Sequence, residues 1–544
     1  MGTYRHSEGD NRTALRIIVI ILWITLLMVL LGCQTMPMYH STKPTFALVN
    51  PEDSPGGKKI APILASHPGL SGFYLLDNGL EAFAARALIV DAAQRTIDVQ
   101  YYMYLNDNTG KLLMERLLRA ADRGVRVRLL LDDLNTAGAD EALEALNTHH
   151  NIEVRLFNPF LYRGSVSRIF DMIEDFGRLN RRMHNKLIAA DNILAITGGR
   201  NIGDEYFGAR TDVNFSDIDL LAAGPIVKEL SEEFDVYWNS DVVFSIKANR
   251  TREDKADLQK VRQHLGAHLE EMKDSEYIKA IRQTAMIQDL LAGRQRMIFA
   301  QAKAVYDAPQ KVVTDRDNLA NTTLAAKLKK AVPEVRTEVI IWSPYFVPGK
   351  SGMTFLKKIR NKGVRIRVLT NSLSATDVAA VHAGYSRYRI DMLKMGIELY
   401  ELKRQVDNAP AKGKKWTAGG SSGASLHAKT FVYDRQTVFI GSMNLDPRSL
   451  LLNTEIGLVI YSGDLAGQVA DHFEEGVLPE VSYRVMLAGG KEGQGKDAPT
   501  NGEQLVWIAK EHGNEVRYIE EPEVGFWQQV QVSIISLFPI EGLL

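Results

Sequence analysis

Two histidine–lysine pairs stand out by their spacing. His184-Asn185-Lys186 is followed by Asp191 and then Gly198-Gly199-Arg200-Asn201, and His427-Ala428-Lys429 is followed by Asp434 and then Gly441-Ser442-Met443-Asn444. In both copies lysine lies two residues after histidine, aspartate five after lysine and asparagine ten after aspartate, and the copies are 243 residues apart. Two residues along a strand means one face, so each His and Lys points into a common site while Asn185 and Ala428 point away. Leu187–Ala190 and Thr430–Tyr433 continue each strand. Asp191-Asn192 and Asp434-Arg435 read as a tight turn, and Ile193–Gly198 and Thr437–Gly441 return as the neighbouring strand, bringing the asparagine back beside the pair.

Facing halves would line one site with two imidazoles, two ammonium groups and two amides. That inventory suits a phosphodiester. The lysines, with Asn201 and Asn444, can hold the nonbridging oxygens and stabilise a five-coordinate transition state. One histidine can attack phosphorus and form a covalent intermediate. The other can protonate the leaving oxygen and then deprotonate an incoming hydroxyl. The lysines supply the positive charge, so no metal or other cofactor is called for. His184, Lys186 and Asp191 with His427, Lys429 and Asp434 are therefore the candidate catalytic residues. Asp191 and Asp434, sitting at the turn, read as mainly structural. A lone His-x-Lys is weak evidence, but two copies at identical spacing inside a duplication are strong. The two copies are equivalent in sequence, which leaves the roles of the two histidines unordered.

The elements around the motifs repeat as well. Gly124-Val-Arg-Val-Arg-Leu-Leu-Leu returns as Gly363-Val-Arg-Ile-Arg-Val-Leu-Thr, each after a helical pattern (Leu112–Arg119, Phe355–Arg360) that itself follows an apolar strand beginning at Ile97 or Glu338. Glu153–Phe157 and Glu398–Leu402 are further strands in matching places. Strands alternating with helices predict an α/β fold: two fused α/β/α domains, each with a mixed, largely parallel sheet, and an active site at their interface. The predicted boundaries are an N-terminal signal at 1–33, a linker at 34–75, a first half at 76–226, a helical end and connection at 227–328, a second half at 329–484, and a flexible segment with an amphipathic tail at 485–544. Asn408–Ala424, rich in Gly, Ser and Lys, reads as a mobile loop or lid before the second motif, and Gly489–Glu503 as a second flexible stretch.

The 544 residues carry a formal net charge of −1, which gives no global basic excess and argues against a nucleic-acid partner. The single cysteine, Cys33, excludes an internal disulfide. It stands at the end of an apolar run from Ile17 to Leu31 preceded by Arg5, Arg12 and Arg16. This pattern reads as a secretory signal. Leu30-Leu31-Gly32-Cys33 resembles a bacterial lipobox, which makes Cys33 the lipidation site, with an uncleaved signal anchor as the alternative. Both place the body outside the cytoplasm against a membrane of the bacterial envelope. By resemblance to sorted lipoproteins, Gln34 in place of Asp points towards the outer one.

The paired motifs match the HKD motif of the phospholipase D superfamily. Phe83-Ala-Ala-Arg, Asp98-Val-Gln-Tyr-Tyr, Arg178-Leu-Asn-Arg-Arg-Met-His-Asn-Lys, Ser343-Pro-Tyr-Phe-Val-Pro, His382-Ala-Gly-Tyr and Asp446-Pro-Arg-Ser further resemble the cardiolipin synthase C type of bacterial enzyme, from about Phe83 to Leu544. The resemblance implies a transphosphatidylase. A phosphatidyl group would pass from phosphatidylethanolamine or a second phosphatidylglycerol, through a phosphohistidine, to the hydroxyl of phosphatidylglycerol. It favours His184 as nucleophile and His427 as general acid, with Asp217 and Glu455 as the carboxylates that orient the imidazoles. The C-terminal stripe Phe526, Val530, Ile534, Phe538, widened by Trp527, Ile535 and Leu537, fits a membrane-surface helix or a helix docked on the core. Two alternatives stand beside the synthase: a hydrolytic phospholipase D or nuclease using the same residues, and a non-catalytic, phospholipid-binding envelope lipoprotein.

Overall fold

The computed structural model describes residues 43–525 apart from 137, 162–167, 170, 173–174, 250–256, 292–293, 295–296, 315–321, 405–422 and 489–503, together with 527–529, 532 and 535. The signal with Cys33, the Gly- and Lys-rich stretch up to 422, the stretch 489–503 and most of the C-terminal stripe lie outside the described residues. No helix among the described residues is long and apolar enough to cross a membrane.

The first half runs through β1 (Ser71–Leu76), α1 (Gly79–Ala92), β2 (Thr96–Tyr101), α2 (Asn108–Asp122), β3 (Arg126–Asp132), β4 (Ile152–Phe157), β5 (Lys186–Ala190), β6 (Leu194–Gly198), β7 (Val213–Ser216), β8 (Asp219–Ala223), α3 (Pro225–Trp238) and β9 (Val243–Ser245). Asn78 and Asp107 start the first two helices by accepting N–H bonds from the first turn. After α4 (Leu258–Met272) comes the long strand β10 (Ile298–Tyr306). The second half then repeats the plan: β11 (Glu338–Trp342), α5 (Gly349–Arg360), β12 (Arg365–Asn371), β13 (Glu398–Leu402), β14 (Gly423–Leu426), β15 (Thr430–Tyr433), β16 (Thr437–Gly441), β17 (Ile456–Tyr461), α6 (Gly463–Gly476) and β18 (Ser482–Leu487); within 485–544, expected as a flexible segment and tail, β19 (Leu505–Glu511) and β20 (Asn514–Tyr518) instead extend its sheet as an antiparallel pair beyond β18.

Each sheet is mixed, but its parallel part is smaller than the strand–helix–strand repeat suggests. Within the large sheet, among the described residues, only β2-β3-β4 and β11-β12-β13 pair in parallel. The motif hairpins β5-β6 and β15-β16, and the strands β8 and β17 beyond them, pair antiparallel. The reason is local: a tight turn can only return a strand antiparallel, and each motif carries such a turn. Within 227–328, where helices are expected, β10 is an additional strand. Its first residues pair with β1 and the remainder with β17, so one strand stitches the two sheets into a single one. Buried and exposed residues do not alternate strictly along β10, so it lacks the period-two signal that would mark a strand among helical neighbours.

A shared core lies between the halves, where α3 packs on β5, β6 and β8, and α6 packs on β11, β15 and β16. Two further cores, one per half, cover the outer faces.

The turns explain the motif aspartates. Asp191, Asn192, Asp434 and Arg435 all have φ between 52° and 54°, the left-handed pair at the centre of the turns closed by Ile193 N–H on Ala190 O and Gln436 N–H on Tyr433 O, both 3.0 Å. The Asp191 carboxylate accepts the N–H groups of Gln94, Arg95 and Thr96 at 2.7–2.9 Å. Asp434 accepts those of Arg336, Thr337 and Glu338, and the Thr337 hydroxyl. Each aspartate thus ties its hairpin to the start of the neighbouring strand, at the end of the motif strand away from the histidine. Asp191→Ala leaves three N–H groups without that acceptor and is expected to lower stability by about 2–4 kcal/mol in urea unfolding. The titration of His184 should be unchanged.

Candidate active site

Lys186 opens β5 opposite Tyr101 at the end of β2, and Thr430, next to Lys429, opens β15 opposite Trp342 at the end of β11. The site therefore sits beyond the carboxyl ends of the parallel strands. Asp132, at the end of β3, receives the Arg182 guanidinium (Nε at 2.8 Å) and the N–H of Met183 (2.8 Å), with both side chains of the ion pair fully buried. It holds the stretch that leads into His184.

The two halves exchange contacts at the histidines. The N–H of His184 donates to the carbonyl of Thr454 (2.9 Å), whose own N–H donates to Arg182 O (2.9 Å). The N–H of His427 donates to Ser216 O (2.8 Å), and β14, which leads into His427, pairs in parallel with β7. Thr454 and Ser216 each precede a carboxylate, and the side chains follow the backbone across. His184 Nδ1 lies 2.9 Å from Glu455 Oε2, and His427 Nδ1 lies 2.6 Å from Asp217 Oδ2. Each imidazole is thus oriented by the other half's acid. His184 Nδ1 also lies 3.1 Å from Ser442 O.

Burial alone would raise both carboxyls. The imidazoles and lysines instead hold Asp217 at about 2 and Glu455 below its ordinary value. Both are ionised at neutral pH and can only accept, so each Nδ1 carries the proton and each Nε2 keeps its lone pair. Among the described residues neither Nε2 is hydrogen-bonded. Burial, opposed by Glu455 and assisted by the lysines, lowers His184 to about 4, and burial with Lys429 lowers His427. Burial also lowers Lys186 to about 7 and Lys429 to about 8, and the two ammonium groups depress each imidazole from both sides. The groups that the sequence pairs within each copy are therefore brought together in one cluster. Each lysine Nζ donates to the carbonyl of its own histidine, at 2.6 Å for Lys186.

Asn201 donates to the Tyr206 hydroxyl (2.8 Å), and the Oδ1 atoms of Asn201 and Asn444 are buried with no hydrogen-bond partner among the described residues. Asp191 and Asp434, grouped above with the catalytic candidates, are not part of the cluster; their carboxylates are consumed at the hairpin turns.

The spacing does not reveal the rings that frame the imidazoles. Tyr102 meets His184 edge-on at 5.0 Å, Tyr206 meets His427 at 5.1 Å, and Phe215 stacks on His427 at 5.2 Å. Tyr102 falls in the run Asp98–Tyr102, but by strand register its counterpart is Pro344, so the duplication gives no signal for it. The two halves also differ beside the carboxylates. Ser442 donates its hydroxyl to Glu455 Oε2 (2.5 Å). At the matching Gly199 a Cβ would stand 2.0 Å from Asp217 Oδ1, so only glycine leaves room for the shorter acid.

The crossing makes a specific prediction for histidine titration by NMR. Asp217→Asn should lower the pKa of His427, and Glu455→Gln that of His184, because each carboxylate favours the imidazolium of its partner. A shift confined to the histidine of the same half would refute the crossed arrangement.

The family model described as cardiolipin synthase, PLD-like domain matches residues 88–238 and again residues 324–477, one match per half. Over 485 residues the chain is 39% identical to cardiolipin synthase C of Escherichia coli (strain K12), covering 89% of this chain and 98% of that protein. It is 26% identical over 423 residues to cardiolipin synthase A of Pseudomonas entomophila (strain L48), covering 77% and 71%. The crystal structure of phosphatidylserine synthase from Haemophilus influenzae Rd KW20 shares the fold, with a TM-score of 0.51 at 14% identity over 78% of this chain and 91% of that one. Two matches to one domain model, and a relative matched over almost its whole length, show that the chain belongs to the cardiolipin synthase, phospholipase D-like family.

Proposed function

We propose that the protein is a phosphatidyltransferase that forms cardiolipin by moving a phosphatidyl group, through a phosphohistidine, to the hydroxyl of phosphatidylglycerol. The observation that carries this reading is the pair of crossed imidazole–carboxylate contacts around two buried lysines. His184 Nε2 attacks the phosphorus of the donor lipid, and the bond to the donor headgroup oxygen breaks. With the phosphodiester anion bound, His427 takes up a proton from solvent at Nε2, and as the imidazolium it gives that proton to the leaving oxygen. The acceptor hydroxyl then loses its proton to His427 and attacks phosphorus, the P–N bond breaks, and His184 recovers its lone pair. Lys186 and Lys429 neutralise the charge on the phosphoryl oxygens, and the Asn201 and Asn444 amides donate N–H bonds to them. The phosphodiester anion in turn offsets the lysine charge that disfavours the His427 imidazolium. Assignment of His184 as nucleophile follows the family resemblance.

The donor fits phosphatidylglycerol or phosphatidylethanolamine, both of which present a phosphodiester to the same groups. Attachment to the periplasmic side of the bacterial envelope through a lipid on Cys33 is supported by the apolar run and the Leu30–Cys33 pattern.

Expression in cells devoid of cardiolipin, with lipids read by mass spectrometry, tests the reading. The wild type should restore cardiolipin, and His184→Ala and His427→Ala should each reduce it by about 100-fold or more, the scale of losing a nucleophile or a general acid. Phosphatidic acid alone would mean hydrolysis, and no lipid change from the wild type would end the proposal. A second expectation concerns anions. Because free Lys186 and Lys429 lose their protons near pH 7 and pH 8, sulfate should bind with proton uptake and weaken as pH rises through 7–9. Calorimetry in buffers of different ionisation enthalpy measures this directly.

A further inference from the structure

The side of β5 that faces away from the reacting groups carries a second polar assembly. Asn185 is fully buried, and its Nδ2 donates to Glu233 Oε1 on α3 at 2.7 Å. Gln100 Nε2, on β2, donates to the same oxygen at 3.3 Å. Asn185 Oδ1 accepts the Thr454 hydroxyl at 2.9 Å. Thr454 belongs to the other half. Its carbonyl holds the N–H of His184, and the residue after it is Glu455, the acid on His184 Nδ1. Two hydrogen bonds, Glu233–Asn185 and Asn185–Thr454, therefore join Glu233 to the residue that holds the His184 N–H and precedes Glu455.

The second half carries different side chains in the places of Asn185, Gln100 and Glu233. Phe234 and Phe473 occupy matching places, each under an arginine, Arg128 at 4.7 Å and Arg367 at 4.8 Å. Their neighbours Glu233 and His472 are therefore counterparts, as are Gln100 and Trp342 by strand register. In the second half the Trp342 and His472 rings stack at 5.3 Å, and Ala428 stands where the first half has Asn185. Ring packing supports the His427 strand; directed hydrogen bonds support the His184 strand.

Glu233 is wholly buried, and burial pushes its carboxyl up to about 8. The titratable groups it meets are Asp235 and Tyr237 on its own helix and Tyr306 on β10, none of which favours an anion. A neutral carboxyl accepting two bonds at Oε1 is a role that glutamine reproduces.

We infer that Glu233 is a positioning residue for the transfer at His184: it fixes Asn185, and through Asn185 the joint with Thr454 that sets the His184 ring against Glu455. The inference rests on the proposed role of His184 and goes beyond it by making the two halves of the duplicated site mechanically unequal.

The test uses the full-length chain on phosphatidylglycerol vesicles, with kcat, KM and histidine titration measured for wild type, Glu233→Gln, Glu233→Leu and Asn185→Ala. Glu233→Gln should stay within about 3-fold of wild type in kcat. Glu233→Leu and Asn185→Ala should lose about 10-fold or more in kcat with little change in KM, and should shift the titration of His184 but not that of His427. Folded Glu233→Leu with wild-type kcat and an unmoved His184 would overturn the inference, as would a Glu233→Gln loss equal to that of Glu233→Leu. Where Glu233→Leu does not fold, Asn185→Ala, which copies the second half's own Ala428, decides in the same way. A wild type without transferase activity would sink the proposed function alone, because the histidine titrations still decide the positioning role. A stability readout runs alongside. The folded-state value of Glu233 lies above its unfolded one, so the wild type loses stability as pH rises from about 5 to about 8. Glu233→Gln does not, so its advantage in Tm should widen across that window.

Discussion

The structure depends on an exchange. Each imidazole takes its orienting carboxylate from the opposite half, over the contacts His184–Glu455 and His427–Asp217. The exchange includes the backbone, because the residue before each acid accepts the N–H of the partner histidine. Neither half therefore holds a complete imidazole–acid pair of its own. Leaving either acid without its partner would strand a charge in the interior, a loss on the order of 3–5 kcal/mol, so the same contacts that orient the rings lock the halves together.

Everything else keeps that exchange in register. β10 runs from the edge of one sheet to the edge of the other, so the two sheets cannot slide independently. The helices α3 and α6 bury large side chains such as Trp238 and Phe473 in the core that the halves share. Asp191 and Asp434 fasten the outer ends of the motif hairpins. In a close-packed interior such anchors fix the inner ends, where the lysines emerge. The lysines pay for their burial with lowered proton affinity, a state that favours meeting a phosphodiester anion over remaining free.

Duplication has not kept the halves equal. Gly199 and Asp217 stand against Ser442 and Glu455, and Asn185, Gln100 and Glu233 stand against Ala428, Trp342 and His472. A mechanism that asks one imidazole to bond phosphorus and the other to shuttle a proton needs two different rings, and differences in their supports are one way to make them so.

The motif residues, the tight turns with their aspartates, the duplicated strand–helix–strand plan and the family were all legible in the sequence, because spacing along a strand decides facing and a tight turn decides the return. Asp217 and Glu455 were legible as the orienting acids, but no spacing told which acid meets which histidine. Partners 210 and 271 residues apart are chosen by how two sheets pack, and only the folded chain decides that. The same holds for Tyr102, Tyr206 and Phe215 around the rings, for β10 as the shared strand, and for Glu233, which in sequence is one more acid on a charged helix. Its burial against Asn185 is a property of the packed core, where an uncharged carboxyl becomes a hydrogen-bonding part.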